Sequence, residues 1–293
     1  MPPGNVAAAP TMSAPYTHTH AYCFQPPPPG GAPTALILLN GSAPYTPLHL
    51  SLLRAVWPFS AARLAADGAA SRLFFALLEA SGAGVAPGAE DSPAARALLL
   101  AHLPDAVCGD FDSLEPRAAA FYGAAGVALH PAPADQDTTD FEKCLARLEA
   151  LQAARGGGAR FNVVALGAGG GRLDHEAQNL NALLARGAPF AGMALLSPHS
   201  VASALPAGRS AVALAAPFEG PACGVLPLAG PAVLSSRGLQ WDVERGPTAF
   251  GGRVSTSNRV KDAGGRVDVD TSAPVIWTTC VNAEEVVRRA EGK

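Results

Sequence analysis

The sequence predicts an α/β fold: a parallel-sheet, Rossmann-like domain over residues 34–199, followed by a smaller all-β sandwich domain over residues 200–287. Two observations predict it. From residue 35 to Leu196, apolar runs of strand length alternate with stretches of helical length, the pattern of a parallel sheet with helices on its faces. After Leu196 the helical period stops, and short apolar runs broken by Gly and Pro continue to Val275-Ile276-Trp277. Ahead of both lies a stretch, residues 1–33, that holds nine prolines, including Pro26-Pro27-Pro28-Pro29. Such a composition buries too little apolar surface to offset ordering entropy, and it is expected to be a disordered tail.

The elements follow in order. Ala35-Leu36-Ile37-Leu38-Leu39 reads as a strand, residues 48–57 as a helix, and Ala62-Arg63-Leu64-Ala65-Ala66 as a strand ending at Asp67. A helix over 70–79 comes next, then the short strand 106–108, a helix over 116–123 and the strand Val127-Ala128-Leu129. Thr139 followed three residues later by Glu142 is a capping box, so a helix starts at Asp140; Phe141, Cys144, Leu145 and Leu148 then form one buried stripe. The strand 161–166, a helix over 174–186 and the strand 193–196 complete the α/β part. Residues 80–88 and Gly156-Gly157-Gly158 read as flexible loops, and the stretch 80–97 as an insertion.

Composition narrows the function classes. With 15% charged residues and a formal net charge of −3, there is no basic surface for a nucleic-acid backbone or an anionic membrane. No apolar run approaches the roughly 20 residues that span a bilayer, and no Lys or Arg precedes Arg54, which argues against a signal or transit peptide. Five scattered cysteines suggest neither a disulfide framework nor a zinc knuckle and fit a reducing, cytoplasmic setting.

In a parallel α/β sheet, ligands bind beyond the carboxyl ends of the strands. Four acidic or glycine-rich elements each follow a predicted strand here: Asp67; Gly109-Asp110-Phe111-Asp112-Ser113; Asp135-Gln136-Asp137-Thr138-Thr139-Asp140; and the loop Gly167-Ala168-Gly169-Gly170-Gly171-Arg172-Leu173-Asp174-His175. Carboxylates gathered this closely repel one another unless a cation sits among them, which points to magnesium and a phosphate-bearing substrate. The glycine loop can offer backbone N–H groups and Arg172 to phosphate, although it lacks the Lys-Ser/Thr of a Walker A loop. Taken singly, each element has an ordinary reading: Asp-x-Asp as a turn or cap, Lys143 as a solvated helix face, Arg172 as a surface ion pair. Their agreement on one edge is what argues for a site.

These segments, with Asp67-Gly68-Ala69-Ala70-Ser71-Arg72, Gly238-Leu239-Gln240-Trp241 and Ser255-Thr256-Ser257-Asn258, resemble the thiamin pyrophosphokinase family, colinearly over roughly residues 35–283. The resemblance implies an α/β catalytic domain that binds ATP and Mg2+, a β-sandwich domain that binds thiamine, and a homodimer sharing its active sites. The implied reaction moves diphosphate from ATP to thiamine, giving thiamine diphosphate and AMP. It implies that Asp110, Asp112 and Asp140 bind magnesium, with Asp67 and Asp174 completing the catalytic carboxylates. Gln136, Lys143 and Arg172, with Gly170 and Gly171, would contact ATP, and Trp241, Ser257 and Asn258 would line the thiamine pocket. The chain departs from the family's Gly-Gly-Ala-Asn after the first Asp, having Gly68-Ala69-Ala70-Ser71, where the methyl of Ala69 could crowd a close approach. Two competitors stand beside this reading. A haloacid-dehalogenase-like phosphatase would use Asp110 as a nucleophile, and a non-catalytic nucleotide- or thiamine-binding protein would bind without turnover.

Overall fold

The computed structural model describes residues 15–41, 45–262 and 265–292. The first strand, β1 (Tyr16–Thr19), belongs to a second sheet described below. The α/β part is built on β2 (Thr34–Leu38), β3 (Ser60–Ala66), β4 (Ala106–Gly109), β5 (Ala128–Pro131), β6 (Asn162–Leu166) and β7 (Gly192–Leu196). They lie parallel in the order β7-β6-β2-β3-β4-β5. All five residues of β2 are buried, as expected of a strand covered on both faces. Leu36 and Leu38 face α1 (Pro47–Val56), α2 (Gly68–Ala80), α3 (Pro93–Ala101) and α4 (Pro116–Ala124). Ala35 and Ile37 face α5 (Asp140–Arg155) and α6 (Leu173–Arg186). The strand order reverses at β2, whose neighbours are β3 on one side and β6 on the other, so a crevice opens there at the carboxyl edge.

The α5 capping box forms as expected, with the Thr139 side chain accepting from the Glu142 amide and Glu142 accepting from the Thr139 amide. Phe141, Cys144, Leu145 and Leu148 are all buried beneath it. The insertion is ordered rather than loose. Arg117 on α4 lies over Phe74 and Phe75, at 5.6 and 5.9 Å from the ring centroids, and donates to the carbonyls of Val85 and Ala86 while pairing with Glu90. Ser92 then caps α3, which the sequence reading passed over.

The β part follows, with β8 (Ser200–Leu205), β9 (Gly208–Ala213), β10 (Glu219–Leu226), β11 (Ala232–Arg237), β12 (Gly246–Thr248), β13 (Ser255–Arg259), β14 (Arg266–Thr271) and β15 (Val275–Val281). It is a two-sheet sandwich, but one of its sheets is the continuation of the parallel sheet. β7 pairs antiparallel with β8, and β15, β10 and β13 follow, giving one ten-stranded sheet. The other sheet has the order β1-β9-β14-β11-β12. Leu205, Val212, Val225, Leu234, Val267, Val269 and Trp277 fill the space between them. The chain does not end in β structure: α7 (Ala283–Ala290) returns to the α/β part and buries Val286 in the core that contains α1.

The tail expectation needs correction over residues 15–33; residues 1–14 lie outside the described residues. β1 adds in parallel to the edge of β9, with Tyr16 opposite Ser210. Tyr22, Cys23 and Phe24 are core residues, and Phe24 stacks on Phe218 with ring centroids 5.2 Å apart. His20 Nδ1 meets Glu219 Oε1 at 2.8 Å and His20 Nε2 meets Ser203 Oγ at 2.9 Å, in a buried network that also takes the Thr279 hydroxyl and the Ala215 amide. Proline counting missed this because Phe24 and His20 find partners some two hundred residues away, in Phe218, Ser203 and Glu219.

Two predictions follow from this packing. Phe24→Ala should destabilise the protein by about 3–5 kcal/mol, the usual cost of emptying a buried aromatic site; an unchanged urea midpoint would show that the segment does not pack. The second concerns acid. Burial, aided by His20, holds His18 well below its ordinary value of 6.5, so below that pH the unfolded chain takes up a proton that the folded chain refuses. Burial raises Glu219, but His20, Thr279 and the Ala215 amide outweigh it and leave the carboxyl lowered from 4.5. Its contribution is therefore present above pH 4.5 and lost as the pH falls through the folded value. Melting temperature should decline from about pH 6.5 downward, and His18→Gln should flatten the upper part of that decline; an unaltered slope would refute the assignment.

Candidate active site

A cavity of about 360 Å3 opens at the carboxyl edge of the parallel sheet, at the crevice where the strand order reverses. The ends of four strands supply its walls: Asn40 and Gly41 after β2, Asp110, Asp112 and Ser113 after β4, Gln136, Asp140 and Lys143 after β5, and Arg172 and His175 after β6. Gln178 and Asn179 on α6 close one side. Six residues singled out from sequence thus line one cavity: Asp110, Asp112, Asp140, Gln136, Lys143 and Arg172.

Asp67 is the most constrained of the carboxylates. It ends β3 with φ of 41°, a backbone conformation rare for a residue with a side chain, and it is 1% exposed. Its amide donates to Cys108 O at 2.9 Å and its Oδ2 accepts from the Ser113 amide at 3.1 Å, so β3 and the loop after β4 are tied together through this residue. Oδ1 is buried with no hydrogen-bond partner among the described residues. Burial pushes the carboxyl up to about 6, opposed by the Ser113 amide and reinforced by Asp140 and Asp112.

One carboxylate oxygen each from Asp67, Asp110 and Asp112 lies within 4.8 Å of the others. Three hard carboxylate donors, on residues that include Asp67 with its buried, unpartnered Oδ1, fit a divalent cation such as magnesium. The grouping differs from the expected set. Asp140 is not part of it; its Oδ1 accepts from Lys143 Nζ at 3.2 Å, and burial raises its carboxyl while Lys143 opposes. Asp67, read from sequence as a neighbour, joins Asp110 and Asp112, and Asp140 stands close to it: a Cβ on Gly109 would stand 2.6 Å from Asp67 Cβ and 3.1 Å from Asp140 Oδ1.

The glycine loop also differs from expectation. The amides of Gly170 and Gly171 both donate to Glu176 Oε1, at 2.8 and 2.7 Å, so the N–H groups read as a phosphate cradle already hold a carboxylate. Asp174 is turned to solvent and pairs with Arg172 at 2.5 Å instead of joining the other aspartates. Trp241, Ser257 and Asn258 do not line the cavity in this single chain. They form a unit of their own: Asn258 Oδ1 accepts from the Trp241 amide at 3.2 Å and its Nδ2 donates to Trp241 O at 2.9 Å, while the Trp241 ring is 55% exposed. Ser257 sits beside it at φ of 56°.

Sequence reasoning passed over Asn40, Gly41, Gln178 and Asn179. Asn40-Gly41 had a readable signal, since it follows an apolar strand at the same edge as the four acidic and glycine elements. Gly41 must be glycine, because a Cβ there would fall 1.7 Å from Gly167 O where β2 and β6 diverge. The two departures after Asp67 are accommodated. Ala69 is fully buried in the apolar core, the close approach falling instead on Gly68, and Ser71 Oγ accepts from the Glu115 amide at 2.8 Å at the start of α4.

Comparison with known proteins agrees with this geometry. Residues 53–189 match the model for the thiamin pyrophosphokinase catalytic domain, and residues 211–276 that for the thiamin pyrophosphokinase vitamin B1 binding domain. The chain is 34% identical to thiamine pyrophosphokinase 1 of Arabidopsis thaliana, covering 86% of this chain and 87% of the relative. It is 33% identical to thiamine pyrophosphokinase 3 of Oryza sativa subsp. japonica, covering 85% and 87%. In fold it resembles yeast thiamin pyrophosphokinase, with a TM-score of 0.77 at 19% identity and 94% of each chain covered. The chain belongs to the thiamin pyrophosphokinase family.

Proposed function

We propose that the protein is a thiamine diphosphokinase, transferring diphosphate from ATP to the hydroxyl of thiamine to give thiamine diphosphate and AMP. The observation that carries this reading is the convergence of Asp67, Asp110 and Asp112 beside a cavity that also presents Gln136, Lys143 and Arg172, in a chain of this family. A phosphatase of the haloacid-dehalogenase type would account for Asp110 and Asp112 alone and draws no support from the relatives. A non-catalytic binder would have no need of the retained carboxylates.

Asp67, Asp110 and Asp112 would hold the magnesium ion, which supplies neutralisation of the phosphate charge. Lys143 and Arg172 offer cationic donors to the triphosphate and Gln136 a neutral one. The thiamine hydroxyl oxygen forms its bond to the β-phosphorus as the bond to the oxygen bridging toward the α-phosphate breaks. AMP leaves, and a carboxylate of the site accepts the hydroxyl proton.

Trp241, Ser257 and Asn258 would form the thiamine side, with the substrate bridging two copies of the chain, since these residues and the carboxylate cavity do not meet within one. Among the described residues no helix is long and apolar enough to cross a membrane, and all five cysteines are free, which supports a reducing cytoplasmic compartment. A redox-sensitive reporter fused to the full chain would test that placement, an oxidised reading sinking it.

The direct assay incubates the protein with ATP, Mg2+ and thiamine and measures AMP and thiamine diphosphate together; ATP consumption without both products would overturn the reading. Asp67→Asn, Asp110→Asn and Asp112→Asn should each fold and lose most activity, with weaker magnesium binding by calorimetry, because each removes one charged ligand at constant volume. Wild-type turnover in any of them would remove that residue from the set. Asn258→Ala should raise the thiamine KM roughly tenfold while sparing the ATP KM, through loss of the bonds that fix the Trp241 backbone. If the sites are shared between copies, mixing Asp110→Asn with Asn258→Ala under conditions that exchange subunits should restore activity at low thiamine, since one mixed site is intact. No recovery would place both halves of the site in one chain.

A further inference from the structure

Two features at the cavity are left unused by the residues considered so far: the side chain of Asn40, and the half-buried Arg72 behind it. Arg72, on the first turns of α2, donates from Nε to Asn40 Oδ1. A guanidinium has only donors, so the amide atom that faces it is the oxygen, and the NH2 group is turned the other way. Asn40 lines the carboxylate cavity, and no group among the described residues accepts from its Nδ2. Nδ2 lies over Gly68 at the start of α2, where a Cβ would stand 2.5 Å from it, so the glycine leaves the amide room to hold this orientation. Gly41 locks the following peptide against Gly167 O, so the backbone that carries Asn40 is held on both sides.

The cavity is short of donors for an anion. Four carboxylates, Asp110, Asp112, Asp135 and Asp140, line it. The amides of Gly170 and Gly171 are bound to Glu176, Lys143 Nζ is shared with Asp140, and Arg172 is shared with Asp174. At the crevice between β2 and β6, Asn40 adds an oriented, neutral N–H donor to the one that Gln136 offers across the cavity.

We infer that Asn40 is a nucleotide-contacting residue, whose Nδ2 donates to an oxygen of the ATP phosphate chain, and that Arg72 is the positioning residue that fixes its amide in the donating orientation. The inference rests on the proposed diphosphokinase activity. Asn40→Asp separates the two roles of the amide: it keeps an oxygen for Arg72 but exchanges the donor for an anion. Initial rates with ATP and thiamine varied in turn should show the ATP KM raised roughly tenfold or more, with the thiamine KM within about twofold of the original. Arg72→Lys should raise the ATP KM less, and adding it to Asn40→Asp should cost little more, because the donor it orients is already gone. Thermal unfolding checks each variant; should Asn40→Asp fail to fold, Asn40→Ala, which adds no charge, decides by the same pair of KM values. An unchanged ATP KM, or equal changes for both substrates, in a folded variant of an active enzyme overturns the role of Asn40. Absence of AMP and thiamine diphosphate from the unmodified protein would instead overturn the activity itself.

Discussion

The crowding of carboxylates where β3 and β4 end is the constraint on which the site depends. Asp67 is forced into a left-handed backbone, buried, and bonded to both Cys108 and Ser113, which leaves one carboxylate oxygen without a protein partner beside two further aspartates. Charge held in that way is costly unless a cation completes it. The fold supplies the rigidity: the parallel strands beneath are buried on both faces, and helices on either side prevent the loops from spreading apart.

The β half is joined to this frame more firmly than a two-domain arrangement would require. The ten-stranded sheet runs without interruption from the parallel strands into the sandwich. The segment around His20 and Phe24 then spans the junction, bonding to Ser203 and Glu219 while β1 extends the second sheet. At the other end of the chain, α7 closes back on the α1 layer. With three separate ties, the Trp241–Asn258 unit is held at a fixed place relative to the carboxylate cavity.

Glu176 changes how the glycine loop is understood. A loop of this composition invites a phosphate in its backbone N–H groups, yet the first turns of α6 bring a carboxylate to the same donors. The loop is thereby shaped from within, while Arg172 at its end, Lys143 and Gln136 across the cavity, and Asn40 at the crevice are side chains that line the cavity. Gly68 and Gly41 matter for a related reason, being the points where backbone has to approach backbone or amide with no room for a methyl group.

Periodicity and capping are local properties, and the sequence carried them legibly. The alternation through residue 196, the Thr139–Glu142 box and the buried stripe of α5 all stand in the structure, as does the placement of four acidic or glycine elements on one edge, because strand polarity in a parallel sheet dictates which loops share an edge. Family resemblance added the chemistry expected of those elements but not their grouping. Which three carboxylates converge, that Asp174 faces solvent, that Glu176 fills the loop, and that residues 15–33 pack instead of trailing were decided by contacts between residues far apart in the chain. Composition averages over a segment and cannot register such contacts: a proline-rich stretch looks unfoldable until Phe218, Ser203 and Glu219 are brought to meet its Phe24 and His20 by the rest of the fold.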